Sequence, residues 1–159
     1  MNIMTSTPET VSYDLERIAE TTATSCIATR VRQLSRIVTR VYDDAMRPLG
    51  ITGSQFTLLT QLAARDGITA VEIGGGLDIE KSTLSRNLKR MLVLGLISMD
   101  PPAGRRGRGL HLMPKGQAVI KDAYPIWLSA QQRAVAVLGP QCRSTLDGLV
   151  ENAERLGGD

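Results

Sequence analysis

The sequence is poor in the residues from which most reactive sites are built. Histidine occurs once, at His111, and cysteine twice, at Cys26 and Cys142, far apart along the chain. A zinc site built on several histidines is therefore excluded, and no C-x-x-C spacing exists for a metal or a redox pair. A catalytic Cys–His pair would have to recruit His111, and no neighbouring residue supports that. No metal and no cofactor are expected. Aromatic residues make up only 3% of the 159 residues against a hydrophobic fraction of 42%. Such a core relies on Leu, Val, Ile and Ala, which suits a helical protein. Long apolar runs are also missing: none approaches the ~18 residues of a membrane span. The first residues, MNIMTSTPETVSYDLER, lack the basic-then-apolar order of a secretory signal. The expectation is a cytoplasmic, membrane-independent chain with one principal domain.

What is present begins with GGLDIEKS, Gly75 to Ser82. It falls one residue short of G-x-x-x-x-G-K-[ST], the loop that cradles nucleotide phosphates. The mismatch is Glu80, where a glycine would let backbone N–H groups close on the phosphates. Asp78 adds a second carboxylate to a would-be anion cradle. The preceding TAVEIG does not read as a buried parallel strand. A nucleotide-handling enzyme would also need acidic metal ligands nearby, and none stand out. Lys81 calls for another partner.

Charge supplies one. From Lys81 to Lys115 there are eight Lys/Arg and a single acid, Asp100, a local net of +7 in a chain whose total is +3. The rest of the chain carries −4. A basic block of this kind is the electrostatic footprint of a polyanion.

Periodicity places that block on structure. Residues 1–12 read as a loose tail with Pro8 and many Ser/Thr, and Tyr13–Glu20 as a short helical lead-in. From Ser25 to Leu49 an apolar stripe of Ile27, Val31, Leu34, Val38, Val41 and Ala45 steps by three or four. Pro48 and Gly50 end it. Thr52 with Gln55, then Thr69 with Glu72, form two capping-box patterns that start the next two helices. The first of these helices buries Phe56, Leu59, Leu62 and Ala63. The second should be short or weak, because Gly74, Gly75 and Gly76 each cost up to ~1 kcal/mol relative to alanine. EKSTLSRNLKRMLVLG then forms a clean helix, with Leu84, Leu88, Met91 and Leu92 inward and Gly95 as its stop. LISMD and LHLM alternate as strands around the basic tip PPAGRRGRG. A long helix from Pro114 to Leu138, kinked by Pro125 near Ala123, precedes a last helix carrying Leu146, Leu149, Val150, Ala153 and Leu156. The fold class is mainly α with a small β-hairpin.

A short helix, a tight turn and a helix with outward polar and basic residues form a helix-turn-helix arrangement, whose second helix fits the major groove of double-stranded DNA. The expected DNA-binding residues are Lys81, Ser82, Thr83, Ser85 and Arg86 near its start, with Lys89 and Arg90 toward the backbone. Arginine can bond guanine in a bidentate way. Asn87 reads as a phosphate-contacting or capping residue. Arg105, Arg106 and Arg108 at the hairpin tip suit a minor groove or a phosphate ridge. The phosphate that Lys81 serves is then that of DNA.

The segments CIATRVRQLSRIVTRVYDDAMRPLGITGSQFTLL, EKSTLSRNLKRMLVLGLI and RRGRGLHLMPKG resemble the MarR family of bacterial winged-helix transcription regulators. The resemblance covers Ser25 to the C-terminus. It implies a homodimer whose first, fifth and sixth helices interlock, and whose winged lobes straddle a pseudo-palindromic operator, with no catalysis. On that frame residues 1–22 are a flexible tail and lead-in helix. Residues 23–50 and 114–159 form a helical dimerisation region, and 51–113 a winged helix-turn-helix lobe. The long apolar stripes on the first and last helices favour such an interface independently. The family's D-x-R wing pair is absent, since Gly104 stands two residues before Arg106. Its T-P-E-G start to the next helix is here Met113-Pro114-Lys115-Gly116, and the triple glycine is unusual.

The protein reads as a repressor, and the same resemblance suggests a small aromatic or acidic effector that would release it from DNA. Arg32, Arg36 and Arg40, with Tyr42 or Trp127 as an apolar wall, are the candidates to bind it. Two alternatives stay open. Cys26 lies near the place where some relatives carry a peroxide-sensing cysteine, although Gly53 and Phe56 replace the tyrosines those relatives use. A basic protein-interaction module without operator specificity is the other.

Overall fold

The protein is described here by a computed structural model that covers residues 14–102 and 107–157. The expected N-terminal tail at 1–12, and Gly104, Arg105 and Arg106, lie outside the described residues. The chain divides into two units, residues 1–37 and 38–159. None of the described helices is long and apolar enough to cross a membrane.

The first unit contains α1 (Leu15–Ser25) and the beginning of α2 (Ile27–Met46). The lead-in helix is longer than the sequence suggests, and Cys26 breaks it from α2 with an extended backbone (φ −72°, ψ 108°). In this unit the apolar stripe faces outward: Ile27, Val31, Leu34 and Ile37 are all exposed, Ile27 at 79%.

In the second unit α2 ends in a single 3₁₀ turn, Arg47–Leu49, closed by Gly50 at φ +70°. Both capping boxes form. Thr52 Oγ1 accepts from Gln55 N to start α3 (Gly53–Ala64), and Thr69 Oγ1 does the same with Glu72 N to start α4 (Ala70–Leu77). The three glycines are accommodated inside α4 rather than ending it. The helix stops one residue later, at Asp78, the one described non-glycine residue with positive φ (48°). Then comes α5 (Lys81–Val93), with Gly95 (φ +68°) turning the chain into β2 (Ile97–Met99). The return strand β3 (Gly109–Leu112) leads to α6 (Pro114–Leu138), which continues through Pro125, and to α7 (Cys142–Ala153).

A third strand was not foreseen. β1 (Ile68–Thr69) is only two residues long, too short to show a period of two, yet it pairs antiparallel with β3 through Ile68–Leu110 and Thr69–Gly109. The sheet order is β1-β3-β2, with Ser98 opposite His111 in the β2–β3 pair. Leu58, Leu59 and Leu62 of α3, Ile73 of α4, Leu84, Leu88 and Met91 of α5 and Leu110 of β3 form one buried cluster. Two inward assignments change: Ala63 is exposed, and Leu92 is only half-buried; Leu58, not expected inward, is buried. On α7 no residue is buried; Leu146, Leu149 and Val150 are exposed, as is Leu156 beyond it.

Glycine matters differently at two places. A Cβ at Gly116, in the first turn of α6, would fall on the Leu96 carbonyl oxygen and lie 2.7 Å from Leu112 Cδ1. Gly76 has nothing within 4 Å of the same position. Gly116→Ala should therefore cost about 1–3 kcal/mol through overpacking. Gly76→Ala should instead stabilise by roughly 0.5–1 kcal/mol through helix propensity. Urea denaturation of both variants checks this; equal effects of one sign would contradict it.

Candidate nucleic-acid interface

The sequence GGLDIEKS occupies the end of α4, the left-handed turn at Asp78 and the start of α5. It follows a helix, so it is no strand–loop–helix phosphate cradle. The N-terminus of α5 is already occupied by an anion: the Glu80 carboxylate accepts from Thr83 N at 3.0 Å and from the Ser82 hydroxyl. The bonds from Ser82, and then those from Thr83, hold the Glu80 carboxyl below its usual range. A nucleotide phosphate would have to displace this carboxylate.

Helices α3 and α5 are held in register by an internal polar lock. Gln55, 1% exposed, uses its side-chain oxygen to accept from Thr52 N at 3.2 Å and its amide to donate to Asn87 Oδ1 at 3.3 Å. Asn87 thus points into the protein and joins α5 to α3. The phosphate or capping role expected for it is corrected accordingly. The Gln55 cap was legible in the sequence, but its bond to Asn87, 32 positions away, was not.

The rest of α5 follows from this orientation. Leu84, Leu88 and Met91 are buried, so Lys81, Ser82, Thr83, Ser85, Arg86, Lys89 and Arg90 are exposed. None of the four cations is ion-paired with a described residue. Arg86 folds along its own helix, its Nε donating to Ser82 O at 3.3 Å and its Nη2 to Thr83 Oγ1 at 3.2 Å. The basic face therefore carries uncompensated charge, while three of its polar groups already have mutual partners. Lys115 does something else: its Nζ donates to Leu94 O at 2.8 Å, satisfying a carbonyl at the C-terminal end of α5.

Of the hairpin arginines, Arg108 is described and exposed, and its Nε donates to the carbonyl of Asp100 across the base of the hairpin. Asp100 N donates in turn to Gly109 O at 2.9 Å. The hairpin base is stiffened by this contact. Met113 makes no side-chain cap at the start of α6, as the missing threonine implied.

A groove of about 550 Å³ lies between α4 and α5. Ile79, Leu84, Leu88 and Met99 line it, Gly74 and Gly75 leave it open, and Lys81 and Lys89 border it.

The expected effector residues fall in both units. Arg32 and Arg36 belong to the first and are exposed. In the second, Arg40 is exposed, and Tyr42 and Trp127 line a cavity of about 230 Å³ with Val38, Asp43 and Gly53. Tyr42 donates to Gln131 Oε1, and burial pushes its hydroxyl pKa up. Trp127 stacks on Tyr124 at 6.0 Å and meets Phe56 at 6.3 Å. Cys26 is a free, half-buried thiol whose pKa is lowered first by hydrogen bonding with Thr29, with a smaller contribution from Arg32. Among the described residues, no three His, Cys, Asp or Glu side chains group as metal ligands.

Comparison with known proteins accords with this architecture. The MarR family matches residues 49–107, which span α3 to the hairpin. The multiple antibiotic resistance protein MarR of Salmonella typhimurium is 33% identical over 86 residues, 54% of this chain. The chain spans 60% of the length of that relative. The transcriptional regulator MosR of M. tuberculosis is 32% identical, with 83% of this chain and 98% of that one covered, at a TM-score of 0.73. MosR has also been solved in complex with DNA, a structure matched at 31% identity and a TM-score of 0.72 over 82% of this chain and 98% of that one. A mutant MarR from E. coli complexed with operator DNA shares the fold at a TM-score of 0.71 and 22% identity, over 89% of this chain and 99% of that one. With a 32%-identical relative covered almost end to end and the family's own segment lying on the helix-turn-helix and hairpin, this chain belongs to the MarR family of transcription regulators.

Proposed function

We propose that the protein is a sequence-specific DNA-binding repressor, acting in the cytoplasm as a homodimer on a pseudo-palindromic operator. The observation that carries this reading is the exposed face of α5. Four unpaired cations and three hydroxyls share one helix, and an internal lock sets that helix's rotation. The DNA complex of MosR supports it from outside. Residues 51–113 form the DNA-binding lobe, with α5 in the major groove and Arg105, Arg106 and Arg108 on the flanking backbone or minor groove. Fluorescence anisotropy with the upstream promoter duplex and a scrambled duplex, across a salt series, tests the reading. Specific binding should exceed non-specific binding by at least ~10³-fold. Arg86→Ala should cost ~1–3 kcal/mol on the promoter alone. Lys89→Ala should weaken both duplexes and lower the salt slope by about 1. Equal, weak binding to both duplexes would instead favour a basic interaction module.

The dimer covers residues 23–50 and 114–159. Support comes from apolar side chains exposed in each unit, Ile27 and Val31 in the first, Leu149 and Val150 in the second. Leaving such patches in water is costly for a monomer. Leu149→Lys should shift the protein toward monomer in sedimentation velocity at low micromolar concentration, with the helical circular dichroism retained. An unchanged dimer would remove α7 from the interface.

An aromatic acid is the effector class that suits the cavity at Tyr42 and Trp127, with Arg40 as a candidate for its carboxylate. Trp127 is the only tryptophan. Its emission should therefore change saturably as an aromatic carboxylate is added, in parallel with release of promoter DNA. Release without an emission change would move the effector elsewhere.

A further inference from the structure

His111 is the only histidine of the chain, and both of its ring nitrogens meet carboxylates. Nδ1 lies 2.9 Å from Asp66 Oδ1, in the turn after α3, and Nε2 lies 2.9 Å from Asp100 Oδ1, at the exit of β2. Ionised carboxylates only accept hydrogen bonds, and a neutral imidazole carries one N–H. Both contacts can be hydrogen bonds only when the ring is an imidazolium. After loss of a proton, one of them sets a nitrogen lone pair against a carboxylate oxygen.

The three residues come from segments that set the geometry of the proposed DNA interface. Asp66 leads directly into β1 and into Thr69, the cap of α4. Asp100 stands where the hairpin leaves the sheet, with Arg108 on its carbonyl. His111 sits on β3, the central strand between them. The fit at the hairpin base is close, because a Cβ on Gly109 would meet the Asp100 carboxylate at 2.5 Å.

We propose that His111, as an imidazolium, is a positioning residue for the DNA interface: it clamps Asp66 and Asp100, holds the hairpin base to the helix-turn-helix, and makes DNA affinity fall as pH rises. The inference rests on the DNA-binding function proposed above. The charges around the ring are Asp66 and Asp100 on the carboxylate side and Arg108 on the cationic side. Arg65, beside Asp66, is engaged by Glu72 of α4 at 2.9 Å. With the ring protonated, His111, Arg108, Asp66 and Asp100 sum to zero. With it neutral they sum to −1, beside a surface that would meet phosphates. Loosened geometry and added negative charge act in the same direction.

The hydrogen bond to Asp66, and then that to Asp100, raise the pKa of His111 above the ordinary 6.5. A raised pKa means that the clamp is fully formed below about 6.5 and is lost as pH climbs through the higher folded-state value.

Two measurements test this on the full chain. Because there is one histidine, ¹⁵N-detected imidazole spectra report His111 without ambiguity. We expect two protonated ring nitrogens at pH 6, a titration midpoint above that of the urea-unfolded chain, and a lower midpoint in Asp66→Asn and Asp100→Asn. The second measurement is anisotropy on the promoter duplex from pH 6 to pH 9 at constant ionic strength, with wild type and His111→Gln. Wild-type affinity should fall by roughly threefold to tenfold, since one linked proton gives at most ~tenfold per pH unit. His111→Gln should lose most of that slope. A singly protonated ring at pH 6, or a midpoint at or below the unfolded one, overturns the clamp even if the variants misfold. Specific promoter binding with the same pH slope in wild type and His111→Gln overturns its role in DNA binding. Binding to promoter and scrambled duplexes that is equally weak at pH 6 overturns the DNA-binding reading itself, a distinct failure that the spectra identify separately.

Discussion

The second unit depends on where α5 points, and a single buried polar side chain controls that. Among the described residues Gln55 is the only buried polar one, and none of its groups is wasted. Its backbone and side chain close the capping box with Thr52, and its amide reaches Asn87 on α5. A buried amide without partners is costly, so each bond constrains the others. Rotating α5 by one residue would remove Asn87 from Gln55, displace Leu84 and Leu88 from the core, and turn Lys89 or Arg90 inward. Hydrophobic burial and polar satisfaction therefore select the same orientation. That orientation leaves the cations in solvent.

Charge follows from this arrangement. The N-terminus of α5 is capped by Glu80, so its backbone N–H groups are not available as an open anion site. On the proposed function, attraction for a polyanion would fall to the side chains of Lys81, Arg86, Lys89 and Arg90, which have no acidic partners among the described residues. In the proposed complex Arg86 and the hydroxyls of Ser82 and Thr83 would exchange their present local bonds for bonds to DNA. Such groups discriminate among ligands more than they add net affinity, because each new bond replaces an existing one. On the same proposal Lys81 and Lys89, without ion pairs among the described residues, would supply the attraction that is independent of sequence.

Much of this was legible in the sequence because it is encoded locally. Thr52-x-x-Gln55 and Thr69-x-x-Glu72 form both capping boxes, Gly50 and Gly95 take left-handed turns, and the spacing of Leu84, Leu88 and Met91 places the exposed face of α5. Local rules failed where the deciding partner is distant. The triple glycine predicts a short or weak helix, and α4 is short at eight residues, yet it runs through all three glycines to Leu77; Thr69 caps its start, and Ile73 is buried in the common core. β1 has too few residues for any periodic signal and exists because β3 offers it an edge. Ala63 has the right spacing for the core yet is exposed, whereas Leu58, at the other edge of the buried face of α3, is fully buried.

By itself, the sequence determined the helix-turn-helix, its basic face and the hairpin strands, since each rests on neighbours within a few residues. Only the tertiary structure decided that Asn87 turns inward to Gln55 and that His111 stands between Asp66 and Asp100. It also decided that the apolar residues of α7 remain uncovered in a single chain. Those outcomes depend on groups separated by up to 45 positions. Only the packed chain brings such groups within a hydrogen bond of one another, and no short sequence pattern records that approach.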